Sequence, residues 1–348
     1  MPIFRNLIYL ACATGLLTAG LLINSCGPTG SKHVPDVSGI AVQAPVQRFE
    51  QDLFALDTTH LDTSLRQLAQ KYPDFLPFFL TKVVFDPTDP NETPQQALVN
   101  FAMAPPLRRL YDSCEAAYPD LRWLQQDLEQ MMRYYRYYLP GKPVPRFVTA
   151  ITEFFTDAYA INDSLVLIGL DMFMGEDFSG YNPDDFPQYL RRQFRREYIT
   201  TKVALTLASR LVGPPSGERI IDHMVNNGKI LYLVDALLPT VPDSMKMGYT
   251  QAQIEGCYAN EQEVWARLLE LNVLYQPLGS KNQKIVEPSP STDNVFQEAP
   301  GEIGNWVGWQ IVKSYMQRYP NTSFEELVNL RDTQQFLEKA KYKPKRVN

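Results

Sequence analysis

Apolar residues recur at helical spacing along most of this chain, and a single cluster of short β-rich runs interrupts them near the middle. The clearest helix is "DLRWLQQDLEQMMRYYRYYLP", which puts Leu121, Leu124, Leu128 and Met131 or Met132 on one face. Before it, "DTTHLDTSLRQLAQKYPDF" opens on polar capping residues, places Leu61, Leu65 and Leu68 together and stops at Pro73. Prolines ahead of Leu107 suit another helix start. The β-rich runs are "RFVTAI", "TDAYAI" and "SLVLIGL", with "IND" as a hairpin turn between the last two. An acidic loop over 171–187 follows, and helical spacing then returns over 187–211, 218–238, 250–275 and 304–319. "TSFEELVNL" begins a final pair of helices, with Ser323 and Glu326 at capping-box spacing. Helices, a small sheet and more helices predict an α+β domain over 46–348 with a short β-meander near 146–170.

Composition narrows the function classes. Of the 348 residues 45% are hydrophobic, enough for a substantial core, and the formal charge is −6 with no dense Lys/Arg run. Nucleic acid is therefore not an expected partner. The N-terminus, "MPIFRNLIYLACATGLLTAGLLINSCG", has a basic Arg5, an apolar run and a small residue before Cys26, the layout of a secretory signal peptide over 1–25. A cysteine at that point reads as a lipobox, with lipid on Cys26; Cys12 is a poorer candidate, and an uncleaved membrane anchor is the alternative. Residues 26–45, beginning "CGPTGSKHVPDVSG", read as a flexible stalk. Two cysteines remain in the body, Cys114 and Cys257, either bridged or buried as thiols.

Most catalytic signatures are missing. There is no phosphate-binding glycine loop, no GxSxG and no CxxC, and the three histidines, His33, His60 and His223, have no nucleophile marked beside them. The segment "QFRREYITTKVALTLASRL" reads as one long amphipathic helix following a hairpin and an acidic loop, the order found in zinc metallopeptidases. Laid on HExxH, Arg196, Glu197 and Thr200 fall where His, Glu and His belong, and Glu261 lies in the region of a third ligand. Neither a guanidinium nor a hydroxyl replaces an imidazole on zinc, so no metal and no cofactor are expected, and Glu197 is expected to pair with a neighbouring arginine. Acids at Glu176, Asp177, Glu197, Glu261 and Glu263 leave a metal-independent hydrolase as the competing enzyme reading. Tyr181, Trp306, Trp309 and Tyr315 form either core or the lining of a docking groove.

The blocks "HVPDVSGI", "QRFEQDLFALD", "KYPDFLPFF", "GLDMFMGEDFSGY", "NNGKILYLVDALLP", "NEQEVWARLLELNVLY", "GNWVGWQIVKSYM" and the closing "KYKP" together resemble the gliding motility lipoprotein GldB family of Bacteroidetes. That family is similar to predicted zinc-dependent proteases in which an HExxH helix precedes a glycine-containing helix like "GNWVGWQIVKSYM". The resemblance implies a zincin-like scaffold, emptied here at Arg196 and Thr200. It also implies a lipid-anchored envelope component on a periplasm-facing membrane, with other gliding-machinery proteins as partners and a binding or structural role rather than catalysis.

Overall fold

A computed structural model describes residues 34–345 except 90 and 293. The signal segment and Cys26 lie outside them. Strand β1 (Val46–Arg48) leads into helices α1 (Phe49–Phe54), α2 (Leu61–Lys71), α3 (Leu76–Phe79), α4 (Pro94–Met103), α5 (Pro105–Ala117) and α6 (Arg122–Tyr138). Local chemistry sets several of these starts. Thr93 caps α4, its hydroxyl accepting from the Gln96 N–H at 3.2 Å, and prolines occupy the first turns of α4 and α5, where the missing N–H is harmless.

Strands β2 (Arg146–Ala150), β3 (Ala158–Asn162) and β4 (Leu165–Gly169) complete a four-stranded sheet in the order β1-β2-β4-β3. The expected meander is corrected: β1 runs parallel to β2 and β2 parallel to β4, and only β3 and β4 form an antiparallel hairpin. Side-chain alternation divides the core. Val148, Ala150, Leu165 and Leu167 point at the aromatic cluster of α1–α4, where Phe49 meets Tyr72, Phe75 and Phe79 at 4.8–5.0 Å. Phe147, Val166 and Ile168 point at the larger core of α6 and the C-terminal helices. The sheet is thus covered on both faces. Val37 and Ala44 are buried in that larger core, so the stretch expected as a stalk is pinned to it at those two residues, while Ser38, Gly39, Ala41 and Gln43 are exposed.

Arg48 ties the first layer together. Its guanidinium donates to Glu50 at 2.7 Å, to Glu115 and to the Tyr118 carbonyl at 2.8 Å, while the Thr149 hydroxyl donates to Glu50 at 2.8 Å. Glu50 is fully buried, so these partners are what make a carboxyl tolerable there. Asp171, also fully buried, accepts from the backbone N–H groups of Thr152 (3.0 Å) and Phe154 (2.6 Å), holding a turn in which Glu153 and Phe154 both have positive φ. Burial pushes its carboxyl up to about 6 against those bonds.

Beyond the sheet come α7 (Gln188–Arg191), α8 (Ile199–Val212), α9 (Ile220–Leu237), α10 (Asp243–Met247), α11 (Gln251–Ala259), α12 (Glu261–Glu270), α13 (Ile303–Arg318), α14 (Phe324–Asn329) and α15 (Thr333–Ala340). The capping box at Ser323 and Glu326 forms as expected. The single helix expected over 187–211 does not. The chain is extended at Arg195, makes a 3₁₀ turn over Arg196–Tyr198 and only then enters α8. The break lets Phe194 turn inward onto Tyr181 and Phe186, at 5.0 and 5.4 Å. The helix expected over 250–275 is likewise two, separated at Asn260.

Helices α9 and α13 cross backbone to backbone. A Cβ added at Gly308 would overlap the Met224 carbonyl, and one at Gly228 would overlap the backbone of Gly308. No helix of the described residues is long and apolar enough to cross a membrane. Gly308→Ala should therefore force the two helices apart and cost about 3 kcal/mol, read as a lower urea midpoint; an unchanged midpoint would show that the crossing tolerates a methyl group.

Candidate functional site

The positions laid on the metallopeptidase motif do not form a metal site. Arg196 lies with its guanidinium 4.2 Å over the Trp123 ring, and Glu197 is exposed on the 3₁₀ turn. Contrary to expectation, Glu197 makes no salt bridge with any described residue. Thr200 is half-buried in the first turn of α8, so Arg196 and Thr200 do not share one α-helical face. Glu261, 4% exposed at the start of α12, instead accepts a hydrogen bond from the Tyr342 hydroxyl at 2.8 Å. Among the described residues no group of His, Cys, Asp and Glu is arranged to hold a metal ion.

The other candidates also scatter. Glu176 is half-buried, and Asp177 and Glu263 are exposed. Tyr181, Trp306, Trp309 and Tyr315 are buried, so of the two readings, core or docking groove, these side chains are core. The Tyr181 hydroxyl donates to the Asp171 carbonyl at 2.9 Å, and Tyr315 stacks on Phe336 at 4.4 Å. Cys114 and Cys257 are buried free thiols in different core clusters, which settles them as unbridged. His60 is exposed beside Asp57 and His223 is half-buried on α9.

A different set of residues converges on a cleft of about 290 Å³. Its walls are α8 (Lys202, Leu205, Ser209), α9 (Asn227, Ile230, Leu231) and the turn between α7 and α8 (Arg192, Gln193), and its rim is built from 246–253, 286–290 and 300–302. Glu302 stands at the mouth of α13 with φ 60°, a left-handed conformation that is strained for any residue with a side chain. Its N–H donates to the Lys284 carbonyl at 2.9 Å. The Asn305 amide donates to Glu302 Oε1 at 3.2 Å and to the Val286 carbonyl at 3.1 Å, and Asn305 Oδ1 accepts from Asn227 at 2.8 Å. A Cβ at Gly301 would overlap the Ser289 carbonyl, so the two loops touch at this point beside the half-buried Glu302.

That contact has an electrostatic consequence. Burial raises the Glu302 carboxyl from 4.5 to about 7, against the opposing pull of Lys202 through space and of the Asn305 hydrogen bond. Lys202 itself is 3.1 Å from Asp157, the residue just before β3. Lys229, pushed down to about 8 by burial, lies away from the cleft with its ammonium on the Leu330 carbonyl, and there it serves packing. Strain and desolvation thus coincide at one cleft residue, the combination expected of a site under functional constraint. Sequence reasoning missed Glu302. An acid just ahead of a helix reads as an ordinary cap, and only the fold of the 284–290 loop over it makes it unusual.

Between about pH 4.5 and 7 the folded state holds a proton on Glu302 that the unfolded chain has released, so this group's contribution to stability falls as pH rises through that window. Glu302→Gln should remove the penalty. Relative to the parent protein the variant gains stability at pH 8, and the gain shrinks toward pH 4.5; urea midpoints at the two pH values check this, and an equal difference at both would contradict it.

The family described as gliding motility protein GldB matches residues 30–344. No curated protein and no solved structure matches the chain. The match spans nearly the whole sequence, from ahead of the first described residue through the last helix and Tyr342, and the chain belongs to the gliding motility protein GldB family.

Proposed function

We propose that this gliding motility protein is a lipid-anchored component of the cell envelope that acts by binding, with the cleft around Glu302 as its ligand site. The observation that carries the binding role is the coincidence of a strained, half-buried carboxyl with a cleft whose other charged groups are held by partners within the protein or by a side-chain amide. Supporting the anchor is the sequence "LLINSCG", a signal-peptide end with a cysteine at the cut site. In this reading residues 1–25 are removed, Cys26 carries the lipid, and the body faces the periplasm beside other proteins of the machinery. The zincin-like inheritance is part of the same proposal. What supports it is the order of hairpin, acidic loop, α8 and the Asn260–Glu261 helix start, while the Arg196 guanidinium stacked on Trp123 supports its loss of metal chemistry.

One observation favours an envelope hydrolase as the second reading: a carboxyl near 7 is poised for proton transfer at neutral pH. The acids Glu176, Asp177, Glu197, Glu261 and Glu263 do not line its cleft, so Glu302 would act without a second carboxylate there.

Two substitutions test the proposal in gliding cells. Ser209 is exposed and lines the cleft, so Ser209→Trp should fill the site without disturbing the core; protein level and membrane fractionation stay normal while spreading is lost. Normal spreading with the cleft filled would contradict the binding site. Cys26→Ala should move the protein from the membrane to the soluble fraction, and a variant that stays with the membrane would overturn the lipid anchor. Stoichiometric zinc in the purified protein would overturn the non-catalytic role.

A further inference from the structure

Four charged side chains line the cleft: Arg192, Lys202, Lys246 and Glu302. Two of them are neutralised within the protein. Lys202 is 3.1 Å from Asp157, and Lys246, 2% exposed, is 2.5 Å from Asp235 and 3.3 Å from Asp243. The remaining two have opposite sign and hydrogen-bond only to neutral side chains, with Lys202 acting on Glu302 through space. The Arg192 guanidinium donates to Gln253 Oε1 at 3.0 Å, and the Glu302 carboxyl accepts from the Asn305 amide. They form no salt bridge with each other, because Arg192 belongs to the turn after α7 and Glu302 to the start of α13, on different walls of the cleft.

Both charges are held in place rather than left to swing. Gln253, which receives Arg192, is the third residue of α11 and its oxygen also caps the Thr250 N–H at 3.0 Å. Glu302 is fixed by its backbone bond to Lys284 and by Asn305, itself braced by Asn227. Gly248 has φ 68°, and the Gln193 amide fills the space where its Cβ would be, which brings a second amide to the wall beside Arg192. A guanidinium and a carboxyl on separate walls, neither of them in a salt bridge among the described residues, are complementary to one molecule that carries both signs. The surface between them suits a peptide unit, with the amides of Gln193 and Asn227 on the lining beside N–H and C=O groups and Leu205 beside a small apolar side chain. At about 290 Å³ the space lies at the small end of ligand sites, matching an amino acid or a few linked residues and not a folded segment.

We propose that the cleft binds an amino-acid-type zwitterion, a free amino acid or a short peptide with both ends free, its carboxylate on Arg192 and its ammonium on Glu302. This rests on the cleft being the binding site of the protein. It accounts for a glutamate standing at a left-handed position where glycine would be unstrained: the side chain, not the backbone, is what the position needs.

Isothermal titration of the purified full-length lipoprotein in detergent tests it, with alanine, dialanine and trialanine as probes and the N-acetyl and C-amide forms of each. At least one free zwitterion is expected to bind saturably, and blocking either end should weaken it about tenfold or more. Glu302→Gln should weaken the free form by a similar factor and remove the further loss on N-acetylation; Arg192→Gln should do the same for amidation. Blocked forms that bind as well as free ones, or no saturable binding by any zwitterion, would overturn the ligand class, and the comparison on the unsubstituted protein decides this even where a variant fails to fold. Loss of spreading in Ser209→Trp cells together with no zwitterion binding would sink this inference alone, whereas normal spreading in those cells would sink the binding site beneath it.

Discussion

Helices α9 and α13 meet without side chains between them at Gly228 and Gly308, and this contact sets the positions of nearly everything around the cleft. Asn227 immediately precedes the first glycine and Asn305 lies three residues before the second, so the crossing is what brings their amides to 2.8 Å. Asn305 then holds both Glu302 and the 286 carbonyl, and the loop that ends there covers the carboxyl. A wider crossing would separate the two asparagines, open the loop and return Glu302 to water. The strained φ at Glu302 and its raised proton affinity are therefore consequences of a helix packing distance, and both disappear if that distance grows.

The sequence blocks that resemble the family contain the residues that make these contacts and others like them. "NNGKILYLVDALLP" contains Asn227 and Gly228, and "GNWVGWQIVKSYM" contains Gly304, Asn305 and Gly308. "QRFEQDLFALD" contains Arg48 and the fully buried Glu50, the pair that joins β1 to β2 and α5. The closing "KYKP" contains Tyr342, whose hydroxyl holds Glu261. Glu261, placed by sequence near a third metal ligand, is occupied in fastening the C-terminal tail, and Arg196 is occupied on Trp123.

What local pattern could carry was legible. The apolar face of α6, the β3–β4 hairpin, the extents of α9 and α13 and the Ser323–Glu326 capping box depend on residues within a turn or two of each other. What depended on distant partners was not. Val46–Arg48 is too short to show alternation, and it is a strand only because Phe147–Thr149, about a hundred residues away, pairs with it. The helical period runs unbroken through 187–211, yet Phe194 has an aromatic cluster to join and the helix yields to it. Trp306 and Trp309 at helical spacing favour a core, but a groove stays open until the neighbouring helices are in place. Glu302 gave no signal because desolvation is a property of the loop laid over it, not of the residue.

The central claim is that the fold holds one carboxyl in a partly dry cleft for a ligand, and its most direct measure is the titration of that carboxyl. In a uniformly ¹³C-labelled protein, the Glu302 side-chain carboxyl resonance, assigned by its loss in Glu302→Gln, should shift with a midpoint near pH 7. A midpoint near the ordinary 4.5 would mean that Glu302 is solvated like a surface acid, and the account of the cleft would fail.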